Sequence, residues 1–295
     1  MKIIDCTTYY SEDLMLDVRF NILNNYVSKF IVVESKYSHS GEKKMLNFNI
    51  NNFPKFKDKI KYLVIENEPQ GIVSNKDNSA SIKRMNSLLR IEQSYNFILN
   101  GLKDVSDDDL ICLSDNDEIP NFDSKDFKNS KNDIFIFKQL FFYYKFNLFY
   151  DLIPWYGTKA CKKKKLISLS WLRNLKNKKY PWWRFDTYFS DIKQINLKII
   201  NNGGWHFTNI KTAEEIFKKL SNFGHHDEFD NSGLTVNDIQ DSINNRIVNY
   251  NHLADKTVEN KYNAQYKLQL ADDKILPEYV VNNKDKYKNW FDFHK

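Results

Sequence analysis

The chain has 295 residues, 41% of them hydrophobic and 15% aromatic, so a sizeable core is within reach and intrinsic disorder is excluded. The formal net charge of +6 is mild for this length and suits an anionic nucleotide, a phospholipid surface or nucleic acid; no finger spacing or aromatic-basic RNA signature supports the last. Cys6, Cys112 and Cys161 stand far apart and outside any C-x-x-C pair, which points to reduced core thiols.

Lys2 to Thr7 reads as a first strand. Ser11 to Tyr26 reads as a helix, with Glu12 and Asp13 in its first turn, where the dipole favours acids. Phe30 to Glu34 is the next strand, uninterrupted and β-branched, as in a parallel sheet covered on both faces. Ile60 to Glu66 is a third strand. A long helix from about Ser79 to Leu102 has the stripe Ile82, Met85, Leu89, Tyr95, Ile98, Leu99 and Leu102. Leu110 to Leu113 is a fourth strand. The alternation predicts an α/β class.

Beyond it, Asp133 to Tyr150 alternates partly and is rich in Phe and Tyr, and Leu166 to Trp171 looks similar; both are expected to add strands. Thr212 and Glu215 form a capping box that opens a helix, which Gly224 stops. A helix is expected over Val236 to Asn251. The tail from Leu276 has no readable structure. Lys162 to Lys165 and Lys176 to Lys179 read first as solvated loops, with a membrane-surface or phosphate patch as the alternative. Met1 to Asp5 turns polar too soon for a signal peptide. Phe141 to Trp155 carries Lys145 and Asp151, so it is not a membrane span.

The fourth strand ends in Asp115-Asn116-Asp117-Glu118. Ligands of open α/β sheets bind at the carboxyl ends of strands. Asp115 and Asp117 there suit Mg²⁺ or Mn²⁺ with positions left for substrate phosphates. The bland reading is a surface turn of solvated acids. An EF-hand loop is excluded by the missing Gly and distal Glu, and a phosphatase nucleophile by Ile119 in place of a hydroxyl residue.

Three further segments sharpen this. FIVVESKYSHSGEKKMLNF (Phe30 to Phe48), DDDLICLSDNDEIPN (Asp107 to Asn121) and GGWHFTNIKTAEEIFKKLSNFGHHDEF (Gly203 to Phe229), with Glu12, Asp17 and Arg19 of an early helix, resemble glycosyltransferase family 17. That family includes the bisecting β-1,4-mannosyl-glycoprotein N-acetylglucosaminyltransferase. The resemblance implies a GT-A-like nucleotide-binding sandwich with a mostly parallel central sheet flanked by helices, plus C-terminal helices. It implies a metal-binding Asp-x-Asp, a UDP-sugar donor, UDP-N-acetylglucosamine first, and inversion at the anomeric carbon. One domain, 1–295, is expected: a nucleotide- and metal-binding half over 1–121, an acceptor-side half over 122–230 and a helical extension over 231–295. Animal members carry an N-terminal membrane anchor, which is not expected here. The expected acceptor is therefore a glycan or glycolipid met in the cytoplasm, with at most a peripheral membrane contact and no nucleic acid.

The expected metal ligands are Asp115, Asp117 and His206, the last in Gly203-Gly204-Trp205-His206, where two glycines allow close backbone approach. Glu118 would orient the pair or bind acceptor, and Trp205 would stack on a sugar or sit in the core. His39, Ser40, Gly41, Lys43 or its neighbour Lys44, Arg84 and Asp115 are the candidates for holding nucleotide and diphosphate. Arg19 is expected to pair with Asp17 or Glu34. Glu228, then Asp227 and Asp186, are the candidate general bases. Two rivals remain: a carbohydrate-binding protein without turnover, and a nucleotide-sugar phosphohydrolase.

Overall fold

The structure is a computed structural model that describes residues 1–74, 80–222, 226–254 and 261–293. Strand β1 (Ile3–Tyr9) is followed by helix α1 (Asp13–Leu23), β2 (Val27–Ser35) and β3 (Ile60–Ile65). Helix α2 (Ala80–Asn96), continued by a 3₁₀ turn to Gly101, leads to β4 (Leu110–Ser114) and the short β5 (Glu118–Pro120). Then come α3 (Lys125–Lys128), β6 (Ile134–Tyr143), β7 (Leu148–Phe149), β8 (Trp155–Lys162), α4 (Leu169–Asn174), β9 (Leu197–Ile200) and β10 (Gly204–Thr208). The last elements are α5 (Ala213–Asn222), α6 (His226–Asp230), α7 (Val236–Asn244), β11 (Ile247–Val248), β12 (Tyr266–Lys267), β13 (Gln269–Leu270) and α8 (Glu278–Asn282).

The main sheet runs β13-β7-β6-β8-β4-β1-β2-β3, with β9 and β10 paired to β6, and β5 to β10. β3, β2, β1 and β4 are parallel, whereas β8 is antiparallel to β4 and β6. The apolar runs are unbroken because both faces are covered. In β2, Phe30 and Val32 feed one core layer, Ile31 and Val33 the other. In β4, Leu110 and Cys112 face the first layer, Ile111 and Leu113 the second. Helix α1 packs into the first layer through Leu16, Val18 and Phe20, and α2 into the second through Tyr95. Each such fully buried side chain contributes roughly 1.5–3 kcal/mol of transfer free energy. The chain steps outward from β1 to β3, then returns to the other side of β1 as β4. The carboxyl ends of β1 and β4 therefore form a switch point, where α/β sheets open a crevice.

The expected strands at the start of the chain are present, and all three cysteines are free and buried. Leu166 to Trp171 is corrected from strand to helix. Ser168 Oγ accepts the Trp171 amide (3.0 Å) and caps α4, a local signal that outweighs the aromatic pattern. The helix expected to reach Asn251 ends at Asn244, since Arg246 takes a left-handed φ of 59° and turns the chain into β11. Gly224 lies outside the described residues. Residues from 231 onward hold short strands as well as helices, and the tail is part of the core. Val280, Tyr287 and Phe291 are buried, and Tyr287 Oη donates to Asp17 on α1 (2.6 Å). Among the described residues, no helix is long and apolar enough to cross a membrane.

Candidate active site

The acidic loop after β4 is held from below by one arginine. Arg19 of α1 is fully buried and pairs through Nε and Nη2 with both oxygens of Asp5 on β1 (2.7 and 2.6 Å). Its Nη1 donates to the carbonyls of Glu118 (2.6 Å) and Asp115 (3.3 Å). The expected partners Asp17 and Glu34 are thus replaced by Asp5, which neighbours β4 in register with Cys112. Glu34 serves another loop, accepting the amides of Asn47 and Phe48, the Tyr62 hydroxyl and the Lys44 ammonium.

Glu118 is an orienting group. One oxygen accepts the Asp115 amide (3.0 Å), the other the Trp155 indole N–H (2.7 Å). Burial, then the Asp115 charge, raises its pKa. The chain passes so close that a Cβ on Gly157 would lie 2.4 Å from the Glu118 carboxyl carbon. The Phe207 amide donates to the Asp117 carbonyl (2.8 Å) and ties the loop to β10.

The two aspartates point to different partners. Asp115 accepts both guanidinium nitrogens of Arg173 (3.1 and 3.0 Å) and the Tyr95 hydroxyl (2.6 Å). The guanidinium also lies 4.7 Å from the centre of the Tyr95 ring. Arg173 is in turn positioned by Lys159, whose buried ammonium donates to the carbonyls of Arg173 and Leu175 at the end of α4 (both 2.6 Å). Asp117 has His206 Nε2 at 3.6 Å from Oδ1 and Lys219 Nζ at 3.6 Å from Oδ2. Burial alone would raise its pKa, but Lys219 and then His206 hold it well below the usual carboxylate range. His206 packs against the rings of Phe141 and Trp155, centroids 4.6 and 4.4 Å away, and those two rings also touch each other at 5.1 Å. Its Nδ1 is buried without a hydrogen-bond partner.

These groups face a cavity of about 710 Å³ at the carboxyl ends of β1, β2 and β4, large enough for a nucleotide sugar. Of the expected nucleotide residues, His39 and Arg84 line it, as does Lys44, the alternative to Lys43. Lys43 is exposed and bridges to Tyr37 through its backbone, and neither it, Ser40 nor Gly41 lines the cavity. Gly41 has a structural reason: its φ is 99°, and a Cβ would lie 2.5 Å from the Arg90 guanidinium. Trp205 donates to the Ile275 carbonyl (2.7 Å) and belongs to the core.

Two of the three expected bases, Glu228 and Asp186, do not line the cavity. Glu228 pairs with Lys261 (2.9 Å) and does not line the cavity. Asp186 is exposed, gripped by Arg184 and Lys193, which lower its pKa to about 2. The side chain of Asp227 lies outside the described residues. Arg173, Tyr95 and Lys219 were not legible as site residues. The first two meet Asp115 only through tertiary packing, and Lys219 is one of two adjacent lysines on α5.

Whether a divalent cation fits is decided by the donors. Among the described residues, no three His, Cys, Asp or Glu side chains gather as a cage. Asp117 Oδ1 and His206 Nε2, 3.6 Å apart, are spaced to share one cation at about 2.1 Å from each. Asp115 is turned to other partners, its Oδ1 accepting from Arg173 and Tyr95 and its Oδ2 from Arg173. The pair fits a cation whose remaining ligands are water and phosphate oxygens.

The cavity also carries a pH signature. Burial lowers the pKa of His39 and of His252 from 6.5 to about 4. Between those values the unfolded chain binds more protons than the folded one, so stability is full above 6.5 and falls as pH drops toward 4. Thermal unfolding followed from pH 7.5 to 4.5 is expected to show this loss, and His252→Gln to reduce it. A slope unchanged in the variant would remove His252 from the account.

A search of curated proteins finds no match. Among solved structures, the chain is similar to the inositol-1-phosphate CTP transferase from T. maritima, at 12% identity and a TM-score of 0.31, over 68% of this chain and 85% of that one. The sequence profile of glycosyltransferase family 17 matches residues 1–291. With that match running over nearly the whole molecule, the chain belongs to glycosyltransferase family 17.

Proposed function

We propose that this glycosyltransferase moves a sugar from a nucleoside diphosphate donor, UDP-N-acetylglucosamine first, to a glycan or glycolipid acceptor, with inversion and with Mn²⁺ or Mg²⁺. The observation that carries the reading is Asp117 set between His206 and Lys219 at the switch-point cavity. A donor diphosphate there gathers negative charge as it leaves. A cation held by Asp117 and His206 would offset that charge. Lys219 adds a fixed ammonium beside it, and Arg84 and Lys44 supply further cationic walls. Asp115 serves by fixing Arg173 at the cavity wall, a role distinct from metal ligation.

Inversion needs one base opposite the leaving group. Among the described residues, the carboxylates lining the cavity are Glu12, Glu92, Asp115 and Asp117. With the aspartates engaged, Glu12 and Glu92 are the bases to test. Glu12 accepts the amides of Tyr10 and Ser11 and has Lys211 Nζ at 3.8 Å, whereas Glu92 is exposed.

Calorimetric titration tests the reading. UDP-N-acetylglucosamine is expected to bind with Mn²⁺ and to lose most of its affinity with chelator. Folded, metal-supplemented protein that binds no UDP species would overturn the donor assignment. Stoichiometric release of phosphate or sugar phosphate without acceptor would favour a hydrolase instead.

A further inference from the structure

One segment far more apolar than a solvated loop follows α4. Within residues 176–193, Trp182, Trp183, Phe185, Tyr188 and Phe189 are 65–90% exposed. Single exposed rings are ordinary, but five in eight residues form the kind of patch that marks an interaction surface. The same segment carries Lys176, Lys178, Lys179, Arg184 and Lys193 against only Asp186 and Asp191. Asp186 is already gripped by Arg184 and Lys193.

The segment is built rather than loose. Its neck is closed by the Lys176 amide on the Ile192 carbonyl (3.0 Å) and by the Trp171 indole N–H on the Asp191 carbonyl (2.8 Å). At the tip, the amides of Arg184, Thr187 and Tyr188 donate to the carbonyls of Pro181, Arg184 and Phe185. Backbone groups that are paired internally can leave water without the cost of unmet hydrogen bonds. Tyr180, buried at the base, carries Lys178 and Arg184 over its ring.

We propose that residues 176–193 dock this protein on anionic phospholipid bilayers, with the exposed rings entering the interface and the lysines meeting the headgroups. Trp and Tyr favour the headgroup level, and basic residues beside them respond to anionic lipid. The charge balance favours this occupant over an apolar protein groove, which would not complement the cations. Docking also bears on geometry. Arg173 and Asn174 line the cavity and stand immediately before the segment, so a bilayer held there brings membrane-borne molecules to the cavity wall. The docking stands independently of the donor assignment.

The test is sedimentation of the full chain with vesicles of phosphatidylcholine alone and of phosphatidylcholine with phosphatidylglycerol. Wild type is expected to sediment with the anionic vesicles, less so as salt rises, and hardly with the neutral ones. Each substitution in K176Q/K178Q/K179Q is expected to weaken partitioning about fivefold. W182A/W183A/F189A is expected to weaken it more than about tenfold, with thermal stability and nucleotide binding unchanged because these side chains support no core. Folded wild type that ignores anionic vesicles would overturn the proposal and assign the patch to a protein or glycan partner. Equal binding by the aromatic variant would overturn it too.

Discussion

Arg19→Ala is expected to destabilise the fold by about 3–5 kcal/mol, because it strands the buried Asp5 carboxylate without its partner. The loss extends beyond one ion pair. The same guanidinium satisfies the carbonyls of Asp115 and Glu118, so three elements, β1, α1 and the acidic loop, lose a shared anchor. A buried pair replaced by apolar residues of similar volume is often neutral for stability. The double variant Asp5→Leu/Arg19→Met is therefore expected to recover most of the lost stability in urea unfolding. It should not recover donor binding, since the guanidinium that ties the Asp115 and Glu118 carbonyls to α1 would still be missing. Recovery of both would show that Arg19 acts on the fold alone. A single variant as stable as wild type would show that water reaches Asp5 and relieves it.

Arg19 also marks where the sequence stopped being legible. Period and β-branching in Phe30 to Glu34 and Leu110 to Leu113 sufficed for the parallel sheet, because burial on both faces leaves its mark residue by residue. The place of the acidic loop followed from the rule that ligands gather at carboxyl strand ends, and Asp117 and His206 do meet in one cavity. Partner choice did not follow. Asp5 lies fourteen residues from Arg19 and Arg173 fifty-eight from Asp115, distances that only the tertiary fold closes. Glu228 attracted attention through its acidic and imidazole neighbours, but its charge is answered by Lys261 outside the cavity wall. The tail was unreadable for a similar reason. Tyr287 and Phe291 are core residues only because Phe146, just past β6, and α1 wait for them.

Asp117→Asn is expected to lower kcat/KM by about a thousandfold, which is about 4 kcal/mol of transition-state stabilisation at 1.4 kcal/mol per decade. The amide keeps the shape of the side chain but takes away the charge that, with His206 Nε2, would hold a cation. It also leaves Lys219 beside a neutral partner, so part of the positive field remains. Residual donor binding in this variant should be insensitive to chelator, whereas wild-type binding should depend on metal. Stability gives the internal control. In the fold the Asp117 carboxyl is held well below its ordinary value of 3.8, so its ion pairs stabilise the protein above that pH, and the contribution is lost as pH falls. The variant should therefore be modestly less stable than wild type at pH 7 and converge on it in acid. Asp115→Asn offers the contrast. It loosens Arg173 and Tyr95 while leaving Asp117 and His206 in place, so donor affinity should fall with its metal dependence retained. If instead Asp115→Asn removed the metal dependence and Asp117→Asn did not, the roles of the two aspartates would be exchanged, with Arg173 displaced from Asp115 when the cation binds.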